Sequence, residues 1–147
     1  MLFRSQTLSV AESCTGGWLA KQITDLPGVS NVFIGGVVSY ANSAKESLLQ
    51  VPGDLLLNHG AVSREVALSM AQGVQRVLRT SWSVAITGIA GPTGGTPDKP
   101  VGTVCFAVCG PGFERVDVQR FSGDRVGIRL ASATHAARLL QQSLTLG

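Results

Sequence analysis

The sequence predicts an α/β fold: a single domain, residues 1–147, built on a mixed β-sheet with helices on its faces. Strand-like and helix-like segments alternate through the first half of the chain, while the second half holds strands separated only by turns. The length of 147 residues fits one domain, and neither an internal repeat nor a linker divides it. Hydrophobic residues make up 44% and charged residues 14% of the chain. That balance excludes disorder, which requires low hydrophobicity and high charge.

Thr7 to Ala11 is a short β-rich run that reads as the first strand. It stops at Glu12-Ser13-Cys14-Thr15-Gly16-Gly17, after which Trp18, Leu19, Ile23 and Leu26 follow a helical spacing that Pro27-Gly28 breaks. Val32 to Tyr40 reads as a second strand, with Gly35-Gly36 marking a bulge or a close backbone approach. A short helix follows from Ala44 to Leu49 and ends at Pro52-Gly53, and Leu55 to His59 reads as another helical turn. Ser63 is placed to cap a helix over Arg64 to Leu78, in which Val66, Met70, Val74 and Val77 share a face. Trp82 to Thr87 is the third strand. It opens into a stretch from Gly88 to Pro97 too rich in glycine and proline for regular structure. Val101 to Val108 and Glu114 to Phe121 read as adjacent strands turning at Gly110-Pro111-Gly112. The last helix starts at Ser122-Gly123-Asp124, with Ile128, Ala131, His135, Leu139 and Ser143 at near-helical spacing.

Composition removes several classes of function. The net charge is +3, but the arginines are scattered from Arg4 to Arg138, and aromatic residues are only 5% of the chain. No nucleic-acid partner is expected from a surface without a basic block or stacking platforms. Cys14, Cys105 and Cys109 form no CxxC pair, so neither a disulfide framework nor a four-ligand zinc site is expected. The opening MLFRSQTLSV lacks the apolar core of a signal peptide, and no run approaches the roughly 18 apolar residues of a membrane span. The chain therefore reads as cytoplasmic, with no membrane partner. Its apolar surplus suggests a homo-oligomer.

Candidate chemistry gathers where strands meet glycine-rich turns. Ser13 stands at a strand-to-helix turn, where free backbone N–H groups could stabilise an oxyanion or hold a phosphate, and Gly16 and Gly17 would admit a ligand close to the backbone. From position alone, capping of the helix by Ser13 or Thr15 is the commoner reading. The turn is neither a GxSxG elbow, since Ala11 and Thr15 occupy its glycine positions, nor a phosphate-binding GKS/T loop. A nucleophilic serine needs a base. Neither His59 nor His135 sits in a motif that marks it as one, and His135 falls on an apolar helix face. Lys45 follows the second strand, and burial would lower its pKa towards the range of a base. Tyr40, the only tyrosine, could relay a proton or orient that amine; a surface lysine and a packed tyrosine remain open. The loop from Gly88 could form an anion nest, with Thr87, Arg125 or Arg129 adding polar contacts to a phosphate.

Six blocks then occur in order: AESCTGG (11–17), SYANSAK (39–45), HGAVS (59–63), TGIAGPTGG (87–95), KPVGTV (99–104) and FSGDR (121–125). Together they resemble the C-terminal domain of the CinA family, the nicotinamide-nucleotide amidohydrolases, over nearly the whole chain. The resemblance implies hydrolysis of nicotinamide mononucleotide to nicotinic acid mononucleotide and ammonia, a step of pyridine nucleotide salvage, without metal or cofactor. It implies Ser13 as nucleophile, Lys45 as the group that activates it and Tyr40 as an assisting residue. By the same resemblance Thr87 and the glycine loop after it, with Gly88 and Gly91, bind substrate; Thr15, Gly16 and Gly17 are further substrate-binding candidates from their place in the turn, and Arg125 and Arg129 are candidate phosphate ligands. Cys14 is a rival nucleophile beside Ser13. Family members usually carry a helix before the first strand, and here a handful of residues precede it, so contacts made by that helix are not expected. Many relatives also carry an N-terminal domain resembling molybdopterin-binding proteins, and none of its activity is carried over. Two other functions stay open: a non-catalytic nucleotide-binding domain, and a serine hydrolase of another small amide.

Overall fold

A computed structural model describes residues 5–146. The opening residues read above as lacking a signal-peptide core lie partly outside that range. The strands are β1 (Leu8–Glu12), β2 (Phe33–Val38), β3 (Trp82–Gly88), β4 (Thr103–Gly110) and β5 (Phe113–Arg120). The helices are α1 (Trp18–Thr24), α2 (Asn42–Leu49), α3 (Gly53–His59), α4 (Arg64–Leu78) and α5 (Arg125–Leu146), with a 3-10 turn at Val29–Asn31. All five strands form one sheet in the order β2-β1-β3-β4-β5. β2, β1 and β3 run parallel, and β4 and β5 are antiparallel additions to β3. The mixed sheet expected from the alternation of elements is therefore present, in the expected order.

Side-chain size separates the two faces. Val10, Val84, Ile86, Phe106 and Val108 point towards α1 and α5, where they pack against Leu19, Ile128 and Leu139. The alternate positions, Ala11, Ala85, Cys105, Ala107 and Cys109, face α4 and the α2–α3 segment. Small residues on that side let α4 lie close to the sheet, and its buried stripe is itself rich in small residues: Ala67, Ala71 and Gly73 beside Val66, Met70 and Val74. Val77, expected on the same face, is 44% exposed, because the stripe leaves the sheet one turn before the helix ends.

Local rules set the boundaries. Ser63 caps α4 by accepting from the Val66 N–H at 3.2 Å, as its position predicted. Asp124 does the same for α5 by accepting from Gly127 at 2.8 Å. Just before the glycine pair of β2 the ladder with β1 skips Ile34, between Leu8 and Ser9, and a Cβ on Gly36 would meet Val10 Cγ2 at 2.7 Å. Both a bulge and a close approach therefore occur there. The second strand stops at Val38, short of the expected Tyr40, which frees Ser39 and Tyr40 to form the turn into α2. β4 starts at Thr103, later than Val101, because the Thr103 N–H is turned back onto the Pro100 carbonyl at 3.0 Å.

Candidate active site

The order of the parallel strands decides where a site can form. β1 is flanked by β2 on one side and β3 on the other, so the chain leaves its carboxyl end in one direction and returns in the other. The crevice beyond the strand ends at such a reversal is the preferred binding place in open α/β sheets. Ser13 follows β1, Ser39 and Tyr40 follow β2, and Thr87 and Gly88 close β3. Of the sequence-chosen residues, Ser13, Tyr40, Lys45, Thr87, Gly88 and Arg125 line one cavity of about 190 Å³ there, completed by Cys14, Ala61, Val62 and Ala90. A larger cavity of about 400 Å³ between α1 and α5 is walled by aliphatic residues, Pro27 and Gly28, with no acid, base or nucleophile.

Lys45 is the chemical centre of the smaller cavity. The first turns of α2 carry it under the β1 end, and it is only 1% exposed. Its Nζ donates to Ser13 Oγ at 3.0 Å, to the Ser39 carbonyl at 2.8 Å and to the Tyr40 carbonyl at 3.0 Å. Burial lowers its pKa below the usual 10.5, because an ammonium loses its hydration there. A neutral amine has two hydrogens and one lone pair. With both hydrogens taken by the two carbonyls, the lone pair is left for Ser13 Oγ–H. Ser13 is itself 7% exposed and can also donate to the Tyr40 carbonyl, at a longer 3.4 Å.

The turn that carries Ser13 is clamped from two sides. Glu12, fully buried, accepts from Thr15 Oγ1 at 2.6 Å and from the Leu19 and Ala20 N–H groups of α1 at 3.0 Å each. Arg129 of α5 donates from Nε to the Cys14 carbonyl at 2.9 Å and from Nη2 to the Thr15 carbonyl at 3.1 Å, with its guanidinium 5.5 Å above the Trp18 ring.

These clamps correct several expectations. The α1 N-terminus is not an open oxyanion or phosphate site, because Glu12 fills it with the chain's own carboxylate. Thr15 is fully buried and spends its hydroxyl on Glu12. Gly16 and Gly17 lie outside the cavity lining; with φ of +60° and +104° they supply the left-handed bend ahead of α1. Arg129 faces the turn and not the cavity. Arg125 does line the cavity, bridging the Gly91 carbonyl at 2.7 Å and the Tyr40 hydroxyl at 3.2 Å. Gly91 lies beside the cavity through that bond. The Tyr40 phenol makes no hydrogen bond to Lys45; its main-chain carbonyl does. Thr87 donates to the Ala61 carbonyl at 2.9 Å, which ties the 59–63 loop to the end of β3.

Cys14 and the histidines fall outside the chemistry. Burial pushes the Cys14 thiol up to about 11, which leaves little thiolate at neutral pH. His59 is exposed and faces Glu65 at 3.6 Å, and His135 bonds Asp117 at 2.7 Å against Phe106. Neither lines the cavity. Among the described residues no group of three His, Cys, Asp or Glu is gathered to hold a metal, and no helix is long and apolar enough to cross a membrane. Sequence reasoning missed Glu12, Ser39 and the clamp role of Arg129. An acid directly before a helix-opening turn was the available signal for Glu12; nothing in the sequence marks a main-chain carbonyl as an amine anchor.

Comparison with known proteins agrees with the six blocks. The CinA C-terminal domain family matches residues 1–144. A CinA-like protein of Anaeromyxobacter sp. (strain Fw109-5) is 51% identical over 141 residues, covering 96% of this chain and 34% of that protein. One from Syntrophotalea carbinolica is 52% identical over 138 residues, covering 94% of this chain and again 34% of the relative. The chain thus spans about a third of the length of the curated relatives it matches. Among solved structures, a CinA superfamily protein from Klebsiella pneumoniae superposes with a TM-score of 0.95 at 33% identity, covering 99% of this chain and 91% of that one. The competence/damage inducible protein CihA from Agrobacterium tumefaciens gives 0.92 at 40% identity, covering 95% and 86%.

Proposed function

Since the chain belongs to the CinA C-terminal domain family, we propose that it hydrolyses the carboxamide of nicotinamide mononucleotide to nicotinic acid mononucleotide and ammonia. The observation that carries the reading is the buried amine of Lys45, held 3.0 Å from Ser13 Oγ with its pKa lowered. The nature of the substrate rests on the family resemblance.

An amide is a poor electrophile, so its hydrolysis needs an activated hydroxyl, oxyanion stabilisation and a proton for the leaving nitrogen. Neutral Lys45 takes the Ser13 Oγ proton as Oγ attacks the carboxamide carbon. The oxyanion lies against the turn after Ser13, where the Cys14 N–H is the first candidate donor. The ammonium then gives its proton to the amide nitrogen, the C–N bond breaks, and ammonia leaves behind an ester on Ser13. Water enters, loses a proton to the restored amine and attacks the ester carbon. Collapse returns that proton to Ser13 Oγ and releases the carboxylic acid, which loses its own proton to solvent to become the carboxylate. The Ser39 and Tyr40 carbonyls steady the amine in both protonation states.

The test is ammonium release from nicotinamide mononucleotide by the purified chain, with Ser13→Ala alongside. Release that falls by at least about a thousandfold in the variant, with mononucleotide binding kept, is the expected result. Binding without release in the parent chain would make this a non-catalytic nucleotide-binding domain. Release from other small amides but not from the mononucleotide would reassign the substrate, and release that survives Ser13→Ala would overturn the serine mechanism.

A further inference from the structure

The Ser13 cavity is small for the substrate proposed for it. Small-molecule sites usually enclose roughly 300–1,000 Å³, and this one measures about 190 Å³. That is room for an amide-bearing ring, while the sugar and phosphate of a mononucleotide must extend beyond it. The two arginines first suggested for the phosphate are directed at the protein. Arg129 is spent on the Cys14 and Thr15 carbonyls, and Arg125 on Gly91 and Tyr40.

A second cavity of about 400 Å³ shares a wall residue with the first. Val62 lines both. Thr87 of the first and Cys105 of the second are direct cross-strand partners between β3 and β4, so the two spaces are one strand apart. Arg64, Lys99 and Arg120 line the second cavity. The Arg64 guanidinium makes no hydrogen bond to another described residue. Lys99 donates to the His59 carbonyl at 2.6 Å, which fixes the ammonium while leaving it two further N–H groups. Arg120 spends Nη2 on the Asp98 carbonyl at 3.2 Å and keeps its other donors. Two carboxylates, Glu65 and Asp98, also line the space, and Glu65 faces His59 at 3.6 Å.

We propose that this second cavity is the phosphate subsite, in which Arg64, Lys99 and Arg120 bind the phosphate of a mononucleotide whose amide-bearing ring occupies the Ser13 cavity. The inference rests on the amidohydrolase reading and deepens it. Several N–H donors on three cations suit a dianionic phosphate, and the ribose would cross the ridge formed by Val62.

The experiment compares kcat/KM for nicotinamide mononucleotide with that for nicotinamide riboside, which lacks the phosphate. The parent chain is expected to prefer the mononucleotide. Arg64→Gln/Arg120→Gln, two exposed positions, should cut that preference roughly tenfold or more, chiefly through KM. Lys99→Gln should do the same, its melting temperature reporting any cost of releasing the His59 carbonyl. Ribose 5-phosphate should inhibit the parent competitively and the double variant far less. A preference that survives these substitutions, or that collapses in Arg125→Gln instead, would overturn the subsite. Equal turnover of both substrates by the parent would do so too, while leaving the amidohydrolase reading intact. Turnover of neither would sink that reading alone; ribose 5-phosphate binding by calorimetry, lost or kept in the double variant, would then decide the subsite.

Discussion

At the scale of single residues, the division of labour at Tyr40 is the sharpest feature of the site. The carbonyl anchors the Lys45 amine, while the phenol reaches the Arg125 guanidinium at the cavity rim. In the proposed mechanism Lys45 acts after losing a proton, so kcat/KM should rise with pH along a limb whose midpoint lies below 10.5. Tyr40→Phe keeps the carbonyl and removes only the hydroxyl. It should therefore retain activity within about tenfold and leave that limb where it is. A pH–rate profile of both proteins checks this; a displaced limb in the variant would show that the phenol acts on the amine after all. That Ser13, Lys45 and Tyr40 share one cavity was legible from their places beside strand ends together with the family resemblance. The anchoring carbonyls were not, since every residue carries one and only the backbone path aims it.

The same contrast runs through the elements. Helix α4 was legible to the residue at both ends, because its cap, its periodicity and its length all agree. Less visible was how closely it is packed. Gly73 lies against the end of α2, and a Cβ there would collide with the Leu49 carbonyl oxygen. Alanine exceeds glycine in helix propensity by about 1 kcal/mol, whereas overpacking typically costs about 1–3 kcal/mol. Because the obstacle is backbone, the upper part of that range applies. Gly73→Ala is expected to lower stability by about 1–2 kcal/mol net, read from a denaturant midpoint. A stabilised variant would mean that α2 can withdraw, and with it the segment that carries Lys45. The expected exposure of the α1 N-terminus failed for a related reason. Glu12 belongs to the strand in sequence but serves the helix in space, and a linear reading assigns a residue to one element only.

For the whole molecule, burial of ionisable groups sets the response to pH. Burial raises Cys14 and Cys105 to about 11 and Cys109 to about 12, against 9.0 for a free thiol. The native state therefore keeps protons that the unfolded chain releases above pH 9.0. Stability held below that pH is lost as it rises through the folded values. Lys45 works in the opposite sense: its folded pKa is lowered, so its contribution grows with pH up to 10.5. Asp117 acts at the acid end. Burial alone would raise it, but hydrogen bonds from Gln119 and His135, together with the His135 charge, outweigh that and hold its pKa below 3.8. Its stabilisation is lost as the pH falls through that lowered value. With three thiols against one amine, the melting temperature should fall beyond pH 9.0. The fall should shrink in Cys105→Ala/Cys109→Ala; a fall of unchanged size would assign alkaline instability to other groups. The fold was legible at this scale because strand-like and helix-like segments alternate early and strands follow one another late. The meeting of β1, β2 and β3 was not, since strand order is set by long-range pairing that no local pattern encodes.

The Lys45 amine is fastened by main chain, and that has a consequence for how the site tolerates change. No side chain at position 40 is needed to hold the amine, so substitutions there leave the anchor standing. What the anchor cannot survive is a change of length. One residue inserted between β2 and α2 would carry both carbonyls out of register with Ser13 while deleting no functional side chain. The site is thus forgiving of spelling and intolerant of spacing in the turn between Val38 and Asn42.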